Sequence, residues 1–375
     1  MQNHAYSAIE RALHHLALGS RSIAEISFDL NLVLSSHKYE GDGRHVFVSG
    51  LARAGTTIIM RRLHETGLFR SLTYRDMPFV LCPNLWERLS SLSRRNIDAV
   101  ERAHGDHLKI DADSPEALDE VFWRVFAGSE YIRPDHLCVH GVDPEVIDRF
   151  RQYISCILRP QNAADAKQRY LSKNNNNILR LSSLQIAFPN SKIVIPFRDP
   201  VQHANSLLSQ HVKFSRLQGE DGFTRSYMKW LAHHEFGLEH RPFWLDTERP
   251  FRKSAYPTSS INYWLEMWLR LYDWIRDRRP DNSILVSYES LCADPVEWKR
   301  VLRRLGIEGV PECAEHPFSR AEDKEISGVD ESLAAQARDL YRQLRQASAR
   351  DLDRGTDMMA QSLLVPHAQS RAAPG

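Results

Sequence analysis

Little is in excess among these 375 residues. Lys and Arg number 49 against 48 Asp and Glu, a net charge of +1. No global field therefore draws the chain to nucleic acid or an anionic membrane, and any basic site has to be local. Cysteine is scarce and odd in number: Cys82, Cys138, Cys156, Cys292 and Cys313 form no C-x-x-C pair. That pattern argues against a disulfide framework or a zinc site and fits reduced thiols in the cytosol. Long apolar runs are missing, KIVIPF being typical, so no segment is long enough to span a bilayer. The start, MQNHAYSAIERALHHLALGS, lacks the charged head and apolar stretch of a signal peptide. No internal repeat is found. The expectation is a soluble cytoplasmic protein of roughly two to three domains, or one large α/β domain with extensions.

What is present alternates. Residues 5 to 36 read as two helices, with Ile9, Leu13 and Leu16 on one face and Ile23, Ile26, Leu30 and Val33 on another. HVFVS is apolar throughout, as a strand buried on both faces of a parallel sheet is. A helix from Thr56 to about His64 follows, then a β-like run, SLTY, ending at Arg75-Asp76-Met77-Pro78. Residues 84 to 160 look mostly helical. RYLS reads as a short strand before Lys173 and four asparagines, ILRLSSLQIAF as a helix, and KIVIPF as a strand. Asp199 and Pro200 then suit the cap and first position of another helix. Residues 215 to 257 read as irregular, INYWLEMWLRLYDWIRD as an amphipathic helix, and SILVSYES as a further strand. The pattern predicts an α/β fold of the P-loop type: a three-layer sandwich with a central parallel sheet over residues 44–310. A helical extension (1–43) precedes it. A helical segment with a small-residue tail, AQSRAAPG (311–375), follows.

The sharpest signal is VFVSGLARAGTT. Gly50 and Gly55 stand where a nucleoside-triphosphate loop has its glycines, but Thr56 occupies the place of the lysine. A strand–glycine loop–helix unit sets backbone N–H groups and the positive end of a helix against an anion. Thr56 and Thr57 add hydroxyls, and Arg53 puts a cation inside the loop. Without the lysine that meets β and γ phosphates, a ligand with one phosphate and one leaving group fits better than a triphosphate. The bland alternative is a strand–turn–helix whose glycines serve geometry alone. A second segment, FRDPVQHANS, places Arg198 at a strand end and Ser206 two helical turns beyond Asp199. Together they can hold a second phosphate, or the arginine can simply pair with Asp199.

Taken together, GLARAGTT, FRDPVQHANS and VSYESLCADP, in this order and spacing, resemble the sulfotransferases that use 3′-phosphoadenosine 5′-phosphosulfate (PAPS). The resemblance covers roughly residues 44–310. It implies that Arg53, Ala54, Gly55, Thr56 and Thr57 hold the 5′-phosphosulfate, that Arg198 and Ser206 hold the 3′-phosphate, and that Tyr288 lies near the adenine or only packs. It implies no metal. Arg53 and Lys173 are then the candidates for stabilising the departing sulfate, although Asn174 follows Lys173 where relatives carry a small residue and proline. Asp76 is the preferred general base, with His203 the runner-up and His104, His107, His136 and His140 further possibilities. The pairs His14-His15 and His233-His234 are expected at the surface. The acceptor, a small molecule, glycan, lipid or peptide, is not legible, and residues 215–257 are its expected site or lid. A P-loop kinase or NTPase, and a nucleotide-binding relative without activity, are the alternatives.

Overall fold

The computed structural model describes residues 7–35, 42–90, 100–101, 109–110, 117–159, 168–309, 318–320 and 322–362. Helices α1 (Ala8–Gly19) and α2 (Arg21–Leu34) open it. They are followed by β1 (Val46–Val48), α3 (Thr56–His64), β2 (Phe69–Arg70), α4 (Pro83–Ser90), β3 (Val100–Glu101) and β4 (Lys109–Ile110). Next come α5 (Glu120–Tyr131), β5 (Leu137–Cys138), α6 (Pro144–Ile157), β6 (Arg169–Lys173), α7 (Leu181–Ala187), β7 (Lys192–Phe197), α8 (Pro200–Glu220) and α9 (Gly222–Trp230). The chain continues with β8 (Phe243–Trp244), α10 (Ile261–Arg278), β9 (Ser283–Ser287), α11 (Tyr288–Ala293), α12 (Pro295–Arg304) and α13 (Glu331–Ser362).

The central sheet has five strands in the order β2-β6-β1-β7-β9, and every pairing in it is parallel. Side chains alternate across it as the strand period requires. Phe47, Tyr170, Ile193, Ile195 and Leu285 enter one apolar cluster with α5, α6, α8 and α10. Val46, Val48, Leu171, Val194, Ile284 and Val286 enter a second with α3 and α12. The sheet is thus the middle of three layers, and β1 lies at its centre with the glycine loop at its carboxyl end. That is the crevice where open parallel sheets bind ligands. Helix α13 covers the β9 edge: the Leu285 amide donates to Asp351 Oδ2 at 3.0 Å, and Ser348 Oγ donates to the Leu285 carbonyl at 2.9 Å. It also carries Ala337 and Leu344 into the core. Helix α13 is therefore packed into the fold.

Three local expectations are corrected. The strand after α3 is Phe69–Arg70 rather than SLTY, and Tyr74–Asp76 forms one turn of 3-10 helix. Residues up to 230 are helical, since α8 runs to Glu220 and Asp221 caps α9 through Oδ1 and Oδ2; irregular backbone begins only after Trp230. The apolar stripes chosen on α1 and α2 face outward, with Ile9 75% and Val33 80% exposed. The buried side is smaller, His14, Ala17 and Leu18 on α1 and Ala24, Phe28 and Asn31 on α2. Phe28 anchors it, packing on Phe122, Phe126 and Tyr153. The segment 160–167, much of 91–116 (with His104 and His107), Cys313 and the tail AQSRAAPG lie outside the described residues.

Candidate functional site

The loop between β1 and α3 is held from several directions. Arg53 has φ +69, a left-handed conformation that costs a residue with a Cβ about 1–2 kcal/mol. The surroundings fix it there: Arg53 Nε donates to Ser206 Oγ at 3.2 Å, and Arg198 Nη1 donates to the Arg53 carbonyl at 3.4 Å. Gly55 is the N-cap of α3 at φ +92, and no side chain caps the helix. Its missing Cβ leaves room for Tyr288: a Cβ there would stand 2.6 Å from ring atom Cε2. Thr56 is buried and Thr57 half-buried. The start of α3 thus offers open amides and hydroxyls beside Arg53, the arrangement an anion seeks.

The second arginine arrives on β7. Asp199 caps α8 by accepting from the Gln202 amide at 2.9 Å, and the Asp199 amide donates to Glu289 Oε1 at 2.9 Å. This leaves Arg198 directed at the loop. Its Nε is buried and has no hydrogen-bond partner among the described residues, which suits an incoming acceptor oxygen. Arg53, Arg198 and Ser206, far apart in sequence, therefore form one basic cluster. His203, one turn before Ser206, is not a free base. It is fully buried, Nε2 donates to the Ala52 carbonyl at 2.8 Å, and burial, assisted by Arg198 and Arg53, pulls its pKa down to about 3.

Lys173 ends β6 opposite Val48 and is buried. The four asparagines after it serve structure. The Asn174 amide donates to the Val48 carbonyl at 3.0 Å, and Ser49 Oγ donates to the Asn175 carbonyl at 3.3 Å, so β6 and the loop leave the sheet together. Asn174 Nδ2 donates to Glu120 Oε2 at 2.7 Å, and Ser172 Oγ donates to Asp119 Oδ2 at 2.6 Å. Glu120 in turn pairs with Arg180 at 2.7 Å, with side chains 3% and 0% exposed. A buried ionic network thus anchors the segment that carries Lys173.

One functional candidate was missed by sequence reasoning. Glu235 Oε1 accepts from Asn175 Nδ2 at 3.0 Å, and Oε2 lies 3.4 Å from His233 Nδ1. Burial alone would raise its pKa, but the charges of His233 and Lys173 and the Asn175 hydrogen bond hold it well below the usual carboxylate range. The motif His233-His234-Glu235 is unremarkable in sequence; only the fold sets it against Lys173.

Asp76 sits elsewhere. Its Oδ2 accepts from the Thr73 amide at 2.7 Å and from Thr73 Oγ1 at 3.3 Å, closing a capping box. Burial pushes its pKa up to about 6, against the Thr73 hydrogen bonds and Arg70. The strand that precedes its turn, β2, is separated from β1 by β6, and among the described residues no hydrogen bond joins Asp76 to the Arg53 cluster. Of the other histidines, His140 stacks on Tyr131 and is pulled to about 3 by burial and Arg180, while His136 bonds Asp135 at 2.7 Å. His14 and His234, expected at the surface, are both buried, with Nδ1 on the Glu10 and Glu239 carbonyls. Among the described residues no group of three or more His, Cys, Asp or Glu could hold a metal ion, and no helix is long and apolar enough to cross a membrane.

A cleft opens beside the loop. It is lined by Leu51 and Ala52 of the loop, Leu207 of α8, Trp264, Met267 and Leu271 of α10, and Phe243 and Leu245. Glu235, His240, Arg241 and Arg270 are its titratable lining. Its enclosed interior is narrow.

Comparison with known families matches residues 45–244 to the sulfotransferase family. No curated protein matches the chain. Among solved structures, similarity is found to sulfotransferase STF1 from Mycobacterium tuberculosis H37Rv, 13% identical, covering 92% of this chain and 84% of that one, with a TM-score of 0.40. Sulfotransferase STF9 from Mycobacterium avium is 14% identical over 94% and 84% of the two chains, with a TM-score of 0.39. A sulfotransferase from Alicyclobacillus acidocaldarius is 12% identical over 84% and 95%, with a TM-score of 0.35.

Proposed function

The chain belongs to the sulfotransferase family, and from that premise we propose that it transfers a sulfuryl group from PAPS to a hydroxyl or amine of an acceptor. The observation that carries the choice of donor is the cluster of Arg53, Arg198 and Ser206, with Arg198 Nε buried and unpaired. Two anionic groups can be held there at once. Arg53, the Gly55 amide, and Thr56 and Thr57 take the 5′-phosphosulfate, while Arg198 and Ser206 take the 3′-phosphate; the Ala54 amide already donates to the Leu51 carbonyl at 3.3 Å, so Ala54 shapes the loop. Tyr288, lying over Gly55, bounds the nucleotide on its other side. No residue stands where a γ-phosphate would need a lysine, so a nucleoside triphosphate is the poorer fit.

Arg53 and Lys173 are the residues proposed to act in turnover. Negative charge grows on the oxygen that bridges sulfate and phosphate as the bond between them breaks. A cation held beside that oxygen stabilises the transition state more than the ground state. Arg53, already fixed in a strained turn, needs no reorganisation to do so. The four cysteines described are all unpaired, in keeping with a reducing, cytoplasmic setting.

Calorimetric titration with 3′-phosphoadenosine 5′-phosphate (PAP) tests the proposal. Losing charge-assisted hydrogen bonds of about 1.5–3 kcal/mol should weaken PAP binding to Arg198→Ala by roughly ten- to a hundred-fold. Unchanged affinity would remove the 3′ site. Stabilisation by ATP–Mg²⁺ without stabilisation by PAP would favour a kinase.

A further inference from the structure

We propose that the cleft beside Leu51 and Ala52 is the acceptor site, that it takes a neutral alcohol or phenol with an apolar body, and that Glu235 accepts the proton of the acceptor hydroxyl. The inference rests on the sulfuryl-transfer reading and deepens it.

Three observations carry it. The cleft adjoins the loop itself, since Leu51 and Ala52, the residues before Arg53, are among its lining. A molecule lying in it presents one end to the loop. The cleft is also apolar along its length, lined by Leu207, Phe243, Leu245, Trp264, Met267 and Leu271. A saccharide laid on such walls would leave hydroxyls without partners, at a cost for each, whereas an aliphatic or aromatic body loses nothing. Finally, Glu235 is the one carboxylate of the lining among the described residues, and it is tied to the loop: Asn175 holds Oε1 at 3.0 Å, and the Asn175 carbonyl accepts from Ser49 at 3.3 Å.

The other titratable groups of the cleft do not compete. His240 Nε2 meets Tyr263 Oη at 2.8 Å and Nδ1 meets the His234 carbonyl at 3.1 Å, so both ring nitrogens are engaged. Burial, with His211 beside it, pulls its pKa to about 4, leaving it neutral. Arg241 and Arg270 carry positive charge and disfavour a cationic acceptor. Glu235 faces Lys173, His233 and Asn175, which keep it ionised. A carboxylate so held is a weak base toward a free alcohol. It suffices here because the hydroxyl becomes strongly acidic once its oxygen has begun to bond to sulfur, as in a loose transfer step. The acceptor oxygen donates a lone pair to sulfur, the sulfur–oxygen bond to the 5′-phosphate breaks with its electron pair leaving on PAP, and the hydroxyl proton passes to Glu235. No oxidant or metal is needed for that balance.

The test uses labelled PAPS with a series of phenols of falling pKa, aliphatic alcohols, mono- and disaccharides and a tyrosine peptide. Turnover is expected with the phenols and alcohols. Glu235→Gln should lower kcat by about 10²–10⁴-fold on unactivated phenol, keep PAP affinity within two-fold, and lose less than ten-fold on 4-nitrophenol, which is already ionised at pH 8. A merely structural carboxylate would cost both acceptors alike. Leu245→Trp, which enlarges a lining side chain, should raise the phenol KM more than ten-fold without changing PAP affinity. Turnover confined to saccharides or the peptide, an equal loss across the phenol series, or an unchanged KM in Leu245→Trp would each overturn the inference while leaving sulfuryl transfer intact. Failure to bind PAP at all would overturn the sulfuryl-transfer reading, and the inference with it.

Discussion

Gly55→Ala should be among the most damaging conservative changes in the chain, and its cost should depend on a residue 233 positions away in sequence, Tyr288. Two separate costs arise. Gly55 has φ +92, and placing a Cβ in that region costs about 1–2 kcal/mol. The new methyl would also stand 2.6 Å from Tyr288 Cε2 and 3.3 Å from Cγ. The ring is not free to retreat, because its hydroxyl donates to the Ser319 carbonyl at 3.1 Å and its edge meets Phe318 with centroids 6.2 Å apart. Overpacking of this kind costs about 1–3 kcal/mol. Together the two remove about 2–5 kcal/mol from a stability that for most domains lies near 5–15 kcal/mol. Tyr288→Ala removes the second cost and leaves the first. Urea denaturation of the wild type, both single variants and the double variant isolates the difference as a coupling of about 1–3 kcal/mol. Equal cost of Gly55→Ala in the two backgrounds would refute the placement of the ring on the loop.

Other perturbations have simpler readings. Glu120→Ala strands Arg180 in the core and should cost about 3–5 kcal/mol, measured as a fall in the urea midpoint; a loss below about 1 kcal/mol would mean the network does not anchor the Lys173 segment. His203 is neutral when folded, with a pKa near 3, while the unfolded chain takes up a proton below about pH 6.5. Its contribution is therefore lost as pH falls through that window, and His203→Gln should flatten the acid side of the stability curve by one proton. Asp76 has the opposite sign: held near 6, it stays protonated when folded while the unfolded chain ionises from about pH 4. Stability thus falls as pH rises between the two, and Asp76→Asn should abolish that share while keeping turnover within a few-fold. Collapse of turnover with PAP binding intact would return the base to Asp76.

How much of this was legible follows from the range of each interaction. The parallel sheet was readable because a strand buried on both faces is apolar at every position, as VFV and KIVIPF are, and because Asp199-Pro200 punctuates a helix start locally. The exposed stripe of α1 and α2 misled for the converse reason. Four aliphatic residues at helical spacing look like a core face, yet a single Phe28 fitting among Phe122, Phe126 and Tyr153 decides which side is buried. Nothing in the helix announces that hollow. The asparagines after Lys173 carry no local signal of burial for a similar reason: the Asn174 amide bonds Glu120 and Asp119, more than fifty residues earlier.

The two halves of the candidate site differ in the same way. Anion binding at a helix start depends on backbone amides and one nearby cation. A dozen consecutive residues encode it, so Arg53 to Thr57 could be proposed from the sequence alone. Arg198 and Ser206 could be proposed with them because their separation is a helix geometry written in sequence, and both contact Arg53. A proton acceptor has no such local code, since any carboxylate qualifies once the fold brings it to the right place. Asp76 stands near the loop in sequence, and the fold spends it on capping its own turn. Glu235 stands far from the loop in sequence, and the fold delivers it through Asn175 to the cleft that Leu51 also lines. The same logic accounts for the acceptor being the least legible property of the chain. Its cleft is assembled from α8, α10 and the segment after Trp230, and each contributes side chains that in isolation are indistinguishable from ordinary core.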